Sequence, residues 1–417
     1  MKILNFGSCN IDYVYRVDHI AKEGETLSCK SRQLFPGGKG LNQSVALARA
    51  GAQVFHAGCV GVNEVELCEI MASSGVKLEL LKRVESKTGH TVVQVDKTGK
   101  NSIIVYGGAN LQITPQYIDE VLREFTKGDY ILLQNEISNV PYIVEKAAGK
   151  GMIVALNPSP YNDVIDEIDL NKIDYLILNE HEANSLSGKS SPEAFVEYIT
   201  QAYPAMKIVL TLGEKGSLYI DHEQTIVQPS YRVKVVDTTG GGDTFTGYFL
   251  AGIAASKCAA KAMKHAAFAA ALAVSRQGSA VSIPTGDEVD YVIDLLKPND
   301  EIYSHKQRLV HETIRNNLED ITLEKVAAVL GYSPSYASRW INDNMQMPFG
   351  DIVRKVRCAE AAKLLRKDEL PISEIINKIG YSNESFFRKI FQKEYGKTPL
   401  EYRKFCARMK VLKEKDG

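Results

Sequence analysis

The sequence predicts an α/β domain layered around a mainly parallel sheet, followed by an all-α segment at the C-terminal end. Three observations carry this. From residue 1 to about 296, short β-rich runs alternate with helical patterns, the order that builds a parallel sheet covered by helices. From Tyr130 onward those runs are nearly continuous apolar stretches, as strands buried on both faces must be. Beyond Lys297-Pro298-Asn299-Asp300 only helical patterns remain, punctuated at Gly331, Pro348, Pro371, Gly380 and Gly396. The 417 residues exceed one ordinary domain. The expected division is a first domain over 1–296, a linker over 297–304 and a second domain over 305–417.

In chain order the strand candidates are Lys2–Gly7, Val54–Gly58, Tyr130–Gln134, Met152–Asn157, Tyr175–Asn179 and Ile208–Leu212, with helical stretches such as Leu41–Ala50 and Ser191–Ala202 between them. Ligands of such a sheet belong at the carboxyl ends of its strands. Ile11–Phe35 and Thr88–Tyr106 show shorter alternation with turn signals such as Lys97-Thr98-Gly99-Lys100. They predict a small antiparallel sheet apart from the main one, suited to serve as a lid.

Composition narrows the class. A 44% hydrophobic share with 24% charged residues is that of a globular protein with real cores, and no apolar run reaches membrane-spanning length. The N-terminal Met1–Gly7 reads as a strand and lacks the features of a signal peptide. The seven cysteines (Cys9, Cys29, Cys59, Cys68, Cys258, Cys358, Cys406) form no C-x-x-C, which points to reduced thiols in the cytoplasm. Lys and Arg exceed Asp and Glu by about five from residue 300 onward, whereas the rest is acidic by about six. A polyanion partner for the basic segment and an ordinary solvated helical surface both fit that asymmetry.

The most informative motif is Val236-Asp237-Thr238-Thr239-Gly240-Gly241-Gly242-Asp243, before an apolar stretch, Phe245–Ser256, that reads as helix. Gly240, Gly241 and Gly242 leave backbone N–H groups unshielded, so they can close on a phosphate at a helix N-terminus. Asp243 sits beside them as a base or as a first-turn acid bonded to backbone. An anion cradle with an adjacent base is what phosphoryl transfer to a hydroxyl requires. A second cluster, Pro36-Gly37-Gly38-Lys39-Gly40-Leu41-Asn42-Gln43, precedes a helical run; alone it is as well explained by a turn. Gly188-Lys189-Ser190 is a decoy, because Ala183 stands where a P-loop needs its first glycine.

The two clusters together resemble the signatures of the ribokinase (pfkB-type) family of carbohydrate kinases, over about residues 1–296. Smaller matches are Gly7-Ser8-Cys9-Asn10-Ile11-Asp12, Gln134-Asn135-Glu136, Asn157-Pro158-Ser159-Pro160, Leu178-Asn179-Glu180-His181-Glu182 and Thr211-Leu212-Gly213-Glu214-Lys215-Gly216. The resemblance implies a three-layer fold with a β lid and transfer of phosphate from ATP to a sugar. It makes Asp243 the base and Gly240, Gly241 and Gly242 the anion hole. Asn10, Asp12, Gly38, Lys39, Asn42, Glu136 and Asp243 would hold the sugar, with ribose as the lead. Asn179, Thr211, Gly213, Gly216 and Gly242 would line the nucleotide site. Asn179 and Glu182 would orient Mg²⁺ through water. Asp237, Thr239, Ala273, Arg276, Gly278 and Ser282 would surround K⁺. The lid of this family implies a homodimer.

In the C-terminal segment, Thr322 can cap a helix that Gly331 ends, and Ser333-Pro334 opens another. Some fifty residues later Ile372–Phe391 repeats helix, Gly-Tyr-Ser, helix. Residues 305–408 resemble the AraC-family DNA-binding domain, with Phe349–Lys367 as the joining helix and Pro334–Asn344 and Asn383–Lys393 as recognition helices. Ala337 and the glycine-free Asn344-Met345-Gln346 depart from that pattern. Candidates for contact with double-stranded DNA are Ser335, Ser338, Arg339, Asn342, Asn383, Glu384, Ser385, Arg388 and Lys389; a solvated helix face explains each singly as well. Trp340, Phe387, Phe391 and Tyr402 read as core. Three functions fit such a chain: a sugar kinase whose tail regulates genes for that sugar, a sugar sensor with a kinase fold but no turnover, and a kinase with a structural tail.

Overall fold

The computed structural model describes residues 1–98, 100–256, 258–293, 305–345, 347–367 and 370–404. The chain divides into two compact units, Met1–Ile302 and Tyr303–Gly417. The expected linker, 297–304, lies outside the described residues, as does Cys406.

In the first unit the strands are β1 (Ile3–Phe6), β2 (Asn10–Arg16), β3 (Ser31–Gly37), β4 (Val54–Gly61), β5 (Leu81–Val84), β6 (Gly89–Val95), β7 (Asn101–Tyr106), β8 (Tyr130–Gln134), β9 (Ile153–Asn157), β10 (Tyr175–Asn179), β11 (Lys207–Thr211), β12 (Ser217–Ile220) and β13 (Thr225–Gln228). Nine form one sheet in the order β13-β12-β11-β10-β9-β8-β1-β4-β5. Seven of these run parallel; β12 and β13 add an antiparallel edge. Alternate residues feed two cores. Ile3 and Leu132 face one, with Leu41, Phe249 and Phe268; Leu4, Ile131 and Leu133 face the other, with Phe125 and Phe195. This is a three-layer α/β arrangement. The chain leaves β1 toward β4 on one side and returns to β8 on the other, so the strand order reverses at β1 and opens a crevice at its carboxyl end.

The lid is a separate four-stranded sheet, β3-β2-β6-β7. The expectation of an antiparallel sheet holds for β2–β3 and β6–β7, but β2 and β6 run parallel, with Asn10 opposite Gly89 and Asp12 opposite Thr91. The reason is topological. Both hairpins leave the main sheet from strand carboxyl ends, so their first strands start side by side and point the same way. Gly188 ends the helix Glu180–Ser187 in the left-handed region at φ 66°, so the P-loop decoy is a helix cap.

The second unit is all helix: His305–Asn316, Leu323–Leu330, Pro334–Met345, Phe349–Lys367, Ile372–Lys378 and Glu384–Tyr395. The Thr322 side chain caps the second of these, and Gly331 ends it at φ 68°. Arg357, on the joining helix, donates through Nη2 (2.6 Å) and Nε (3.1 Å) to the Leu318 carbonyl. Any side chain at Gly380 would meet that carbonyl at 2.2 Å, so the second turn needs glycine for close approach as well as for its φ of 78°. Phe387 and Phe391 are buried, and Tyr402 packs edge-on to Phe391. Trp340 is only half-buried, against the expectation of a core residue. The helix interior there is filled by Ala337 and Ile341, and the indole lies 6.2 Å from the Tyr332 ring.

Candidate active site

The site is assembled where two helices cross. Lys39–Arg49 and Gly241–Ala254 approach closely because Gly247 has no side chain; a Cβ there would meet Ala46 Cβ at 2.4 Å and the Gln43 carbonyl at 3.0 Å. One turn earlier on each helix, the same faces bring Asn42 and Gln43 to Asp243. Asn42 Nδ2 donates to Asp243 Oδ2 and Gln43 Nε2 to Oδ1, each at 2.9 Å. The carboxylate is buried (7% exposed), yet both oxygens carry a donor. Its helix begins at Gly241, four residues before the apolar stretch that suggested it. The glycines are therefore its N-cap and first turn.

Gly240 is that N-cap, left-handed at φ 76°, and its carbonyl accepts both the N–H and the hydroxyl of Thr244 at 2.8 Å. Gly241 donates its N–H to the Thr238 carbonyl at 3.3 Å. Gly240 makes the corner, and the first-turn N–H groups of Gly242 and Asp243 have no partner within the helix.

The lid and β8 bring the other expected sugar residues to this spot. Asp12 Oδ1 accepts from Thr91 Oγ1 at 2.6 Å, and its other oxygen overlies Gly37, where a Cβ would lie 2.0 Å away. Asn10 Oδ1 accepts from Asn110 Nδ2 at 2.8 Å. Glu136 Oε2 accepts from Ser8 Oγ and from the Lys39 backbone N–H at 2.9 Å. Gly38 stands at φ 88°, with Asn10 and Ser8 against its back. Among the described residues Asn42 Oδ1 is buried without a hydrogen-bond partner, an acceptor that a hydroxyl would satisfy.

These groups feel one another. Burial pushes Asp12 up to about 6, and the Glu136 and Asp243 charges add to it against the Thr91 hydrogen bond. Burial also raises Glu136, against the Lys39 charge and the Ser8 hydrogen bond. Burial works to lower Lys39, but the Asp243, Glu136 and Glu182 carboxylates hold its ammonium above its usual value.

The nucleotide candidates lie along neighbouring strand ends, Asn179 directly opposite Thr211. Gly213 and Gly216 form the tight turn after β11 at φ 58° and 101°, closed by Leu212 N–H to the Gly216 carbonyl at 2.8 Å. Asn179 and Glu182 form a reciprocal capping box, each side chain accepting from the other's backbone at 2.9 Å. Among the described residues no three His, Cys, Asp or Glu side chains form a ready metal cage. The Asn179 and Glu182 oxygens are ligands of the kind that a hydrated Mg²⁺, which keeps most of its water, would take. The two halves of the potassium candidate site meet: Asp237 accepts from Thr239 N–H at 2.9 Å and from Gly278 N–H at 3.1 Å. Arg276 N–H bonds the Ala273 carbonyl at 3.0 Å, while its guanidinium reaches the Ser282 carbonyl at 3.4 Å and pairs with Glu288. A carboxylate among loop carbonyls has the donor chemistry of a monovalent cation site.

Comparison with known proteins decides the family. Residues 1–286 match the profile of the pfkB family carbohydrate kinases. The chain belongs to that family. It is 37% identical to a ribokinase of Bacillus subtilis over 69% of this chain and 97% of that one. Among solved structures, Arabidopsis thaliana ribokinase complexed with ribose and ATP superposes at a TM-score of 0.62 and 30% identity, covering 70% of this chain and 98% of that one. Cryptococcus neoformans ribokinase in complex with ADP gives 0.62 and 31%, over 69% and 98%. Residues 326–404 match a helix-turn-helix domain profile, of AraC type. The protein is an ATP-dependent carbohydrate kinase carrying a helix-turn-helix module.

In that module Ser335, Ser338, Arg339 and Asn342 are exposed on Pro334–Met345; Ser385, Arg388 and Lys389 are exposed on Glu384–Tyr395. Asn383 is the N-cap of the latter helix, accepting from Phe386 N–H at 2.9 Å, which occupies its side-chain oxygen. Glu384 is half-buried and pairs with Arg388, 2.9 Å from Nε. Tyr336 and Phe386 are also exposed on these two helices, beside the rings of Tyr332 and Tyr381.

Proposed function

We propose that the kinase unit transfers the γ-phosphoryl group of ATP to a hydroxyl of a pentose, ribose first, and that the helix-turn-helix unit binds double-stranded DNA to regulate genes for use of that sugar. The observation that carries the catalytic reading is the Asp243 carboxylate, fixed by two side-chain amides beside the glycine corner of its own helix. A sugar hydroxyl between Asp243 and that corner gives its proton to a carboxylate oxygen as its own oxygen attacks the γ-phosphorus, and the bond from that phosphorus to the bridging oxygen breaks to leave ADP. The N–H groups of Gly242 and Asp243 meet the charge that develops on the phosphoryl oxygens. Asp12, Asn10, Gly38, Lys39, Asn42 and Glu136 hold the remaining hydroxyls. Mg²⁺, placed by Asn179 and Glu182, would supply positive charge to the ATP phosphates when bound, and K⁺ beside Asp237 would polarise the glycine loop.

The experiment is sugar-dependent ADP release across pentoses and hexoses, with and without potassium. Ribose is expected to give the highest kcat/KM. Sugar binding without turnover on any of them would make the unit a sensor instead.

The raised Asp12 gives a pH dependence. Its folded value lies above the ordinary 3.8, so ionising it as pH rises toward about 6 costs stability, which a bound sugar offsets. Below about 6 it is protonated and loses acceptor strength. KM for the sugar is therefore expected to rise as pH falls from 7 to 5. Asp12→Asn should give a high KM that no longer changes over that range; an unaltered pH dependence would remove Asp12 from the sugar site.

For the DNA module, operator affinity is expected to fall by about 10³-fold or more between 50 and 200 mM salt. Lys389→Ala should flatten the salt slope by about one unit. A footprint of its upstream DNA with and without sugar tests local regulation. Exposed Ile103, Ile104, Val105 and Tyr106 along β7, the edge of the lid sheet, support a homodimer formed through the lids. A cytoplasmic setting agrees with free thiols at the six described cysteines, and among the described residues no helix is long and apolar enough to cross a membrane.

A further inference from the structure

Asp243 does not stand alone under the sugar site. Behind it runs a buried chain of side-chain amides, each on an element that otherwise presents apolar residues. Asn5 lies within β1, Gln134 ends β8 and Asn157 ends β9; the first two are fully buried and the third nearly so. Gln43, also fully buried, lies at their centre. Its Nε2 donates to Asn157 Oδ1 at 3.0 Å and to Asp243 Oδ1 at 2.9 Å, and its Oε1 accepts from Gln134 Nε2 at 2.6 Å.

The orientation of these amides is set by two backbone carbonyls, which can only accept. Asn157 Nδ2 donates to the Ile177 carbonyl at 2.9 Å, so Asn157 turns its oxygen to Gln43. Asn5 Nδ2 donates to the Gly40 carbonyl at 2.7 Å, so Asn5 turns its oxygen to Gln134, which donates to it at 2.9 Å. Gln134 Nε2 then also faces Gln43 Oε1. From both sides the answer for Gln43 is the same: its NH₂ group must face Asp243. A flipped amide would put oxygen against oxygen at Asn157 and Asp243, and NH₂ against NH₂ at Gln134.

We infer that Gln43 is a positioning residue for phosphoryl transfer, an amide whose orientation is locked by the Asn157 and Gln134 chain so that it aims and charges the Asp243 carboxylate. Gln43 acts only through Asp243 Oδ1. This deepens the proposed kinase mechanism and rests on Asp243 being its base. The charged groups coupled to that carboxylate are Lys39 on the helix of Gln43, Glu136 after β8 and Asp12 on the lid. None of them is altered by changing Gln43.

The test uses the full chain and Gln43→Met, which keeps the length of the side chain and removes the donor. With ribose and ATP, kcat is expected to fall about 10- to 100-fold, as for loss of a hydrogen bond to a charged group. KM for ribose should change by no more than about threefold, and the acid limb of the kcat–pH profile should move up by about one unit. Asn157→Leu, at a residue whose side chain hydrogen-bonds to Gln43 and the Ile177 carbonyl, should move the limb in the same direction by less. It provides the same readout if Gln43→Met folds poorly. In the Asp243→Asn background, Gln43→Met should cause no further loss of kcat. Lower thermal stability with unchanged kcat and an unmoved acid limb in both single variants would overturn the inference and leave the base assignment standing. Full activity of Asp243→Asn alone would instead remove the base assignment, and with it the role of Gln43.

Discussion

Asp243→Asn is expected to lower kcat by about 10²–10⁴-fold while KM for the sugar stays within several-fold of the parent. The structure sharpens this beyond the removal of a base. Both oxygens of Asp243 accept from an amide NH₂, those of Asn42 and Gln43. An asparagine offers only one oxygen, so its own NH₂ meets one of those donors head-on. The unmatched donor is buried and costs about 1–3 kcal/mol. The variant should therefore melt a few degrees lower as well as turn over slowly. Initial rates of ADP release, with a thermal melt of the same sample, measure both. A kcat within threefold of the parent would end the assignment of Asp243 as base.

Gly40→Ala is expected to be the most damaging substitution of a residue that carries no chemistry. Its added methyl would sit 2.2 Å from the Ser8 nitrogen, 2.4 Å from the Gly7 carbonyl carbon and 2.6 Å from Gly7 Cα. All three are backbone atoms at the carboxyl end of β1, in the centre of the sheet, so no side chain can swing aside. The start of the Lys39–Arg49 helix must retreat from the strand, taking Lys39, Asn42 and Gln43 with it. Overpacking of this kind costs about 1–3 kcal/mol or more. A displacement near 1 Å costs about 10²-fold in rate. Both KM and kcat should suffer, since the helix carries sugar-binding and carboxylate-positioning groups together. Gly149→Ala is the control. That glycine is helical with open space around it, and the change should be neutral or slightly stabilising. Parent-like kinetics in Gly40→Ala would mean that the crossing is looser than its geometry shows.

The parts of the fold that were legible in the sequence are those set by local chemistry. Tyr130–Gln134 and Tyr175–Asn179 were readable to the residue because a strand buried on both faces is a nearly continuous apolar run, here closed by a polar Gln134 or Asn179. Thr322 and Gly331 announce helix ends because a cap is chosen by its own side chain or its own φ. The edge strands β12 and β13 and the short β5 were missed. Their residues are mixed in character, and their pairing is decided by the neighbouring strand rather than by their own pattern. The parallel β2–β6 pairing was missed for the same reason.

Taken alone, the amino-acid order determined that residues 240–243 could cradle an anion beside a carboxylate, that a second glycine cluster could meet it, and that two helix-turn-helix units follow. Those features depend on backbone freedom, charge and caps, which a short segment possesses wherever it lies. Only the tertiary structure decided which amides hold Asp243. That depends on elements far apart in the chain, from Asn5 and Gln43 to Gln134 and Asn157, being pressed to hydrogen-bond distance in a buried core. A hydrogen bond falls away steeply with distance and angle, so no spacing along the sequence can specify it.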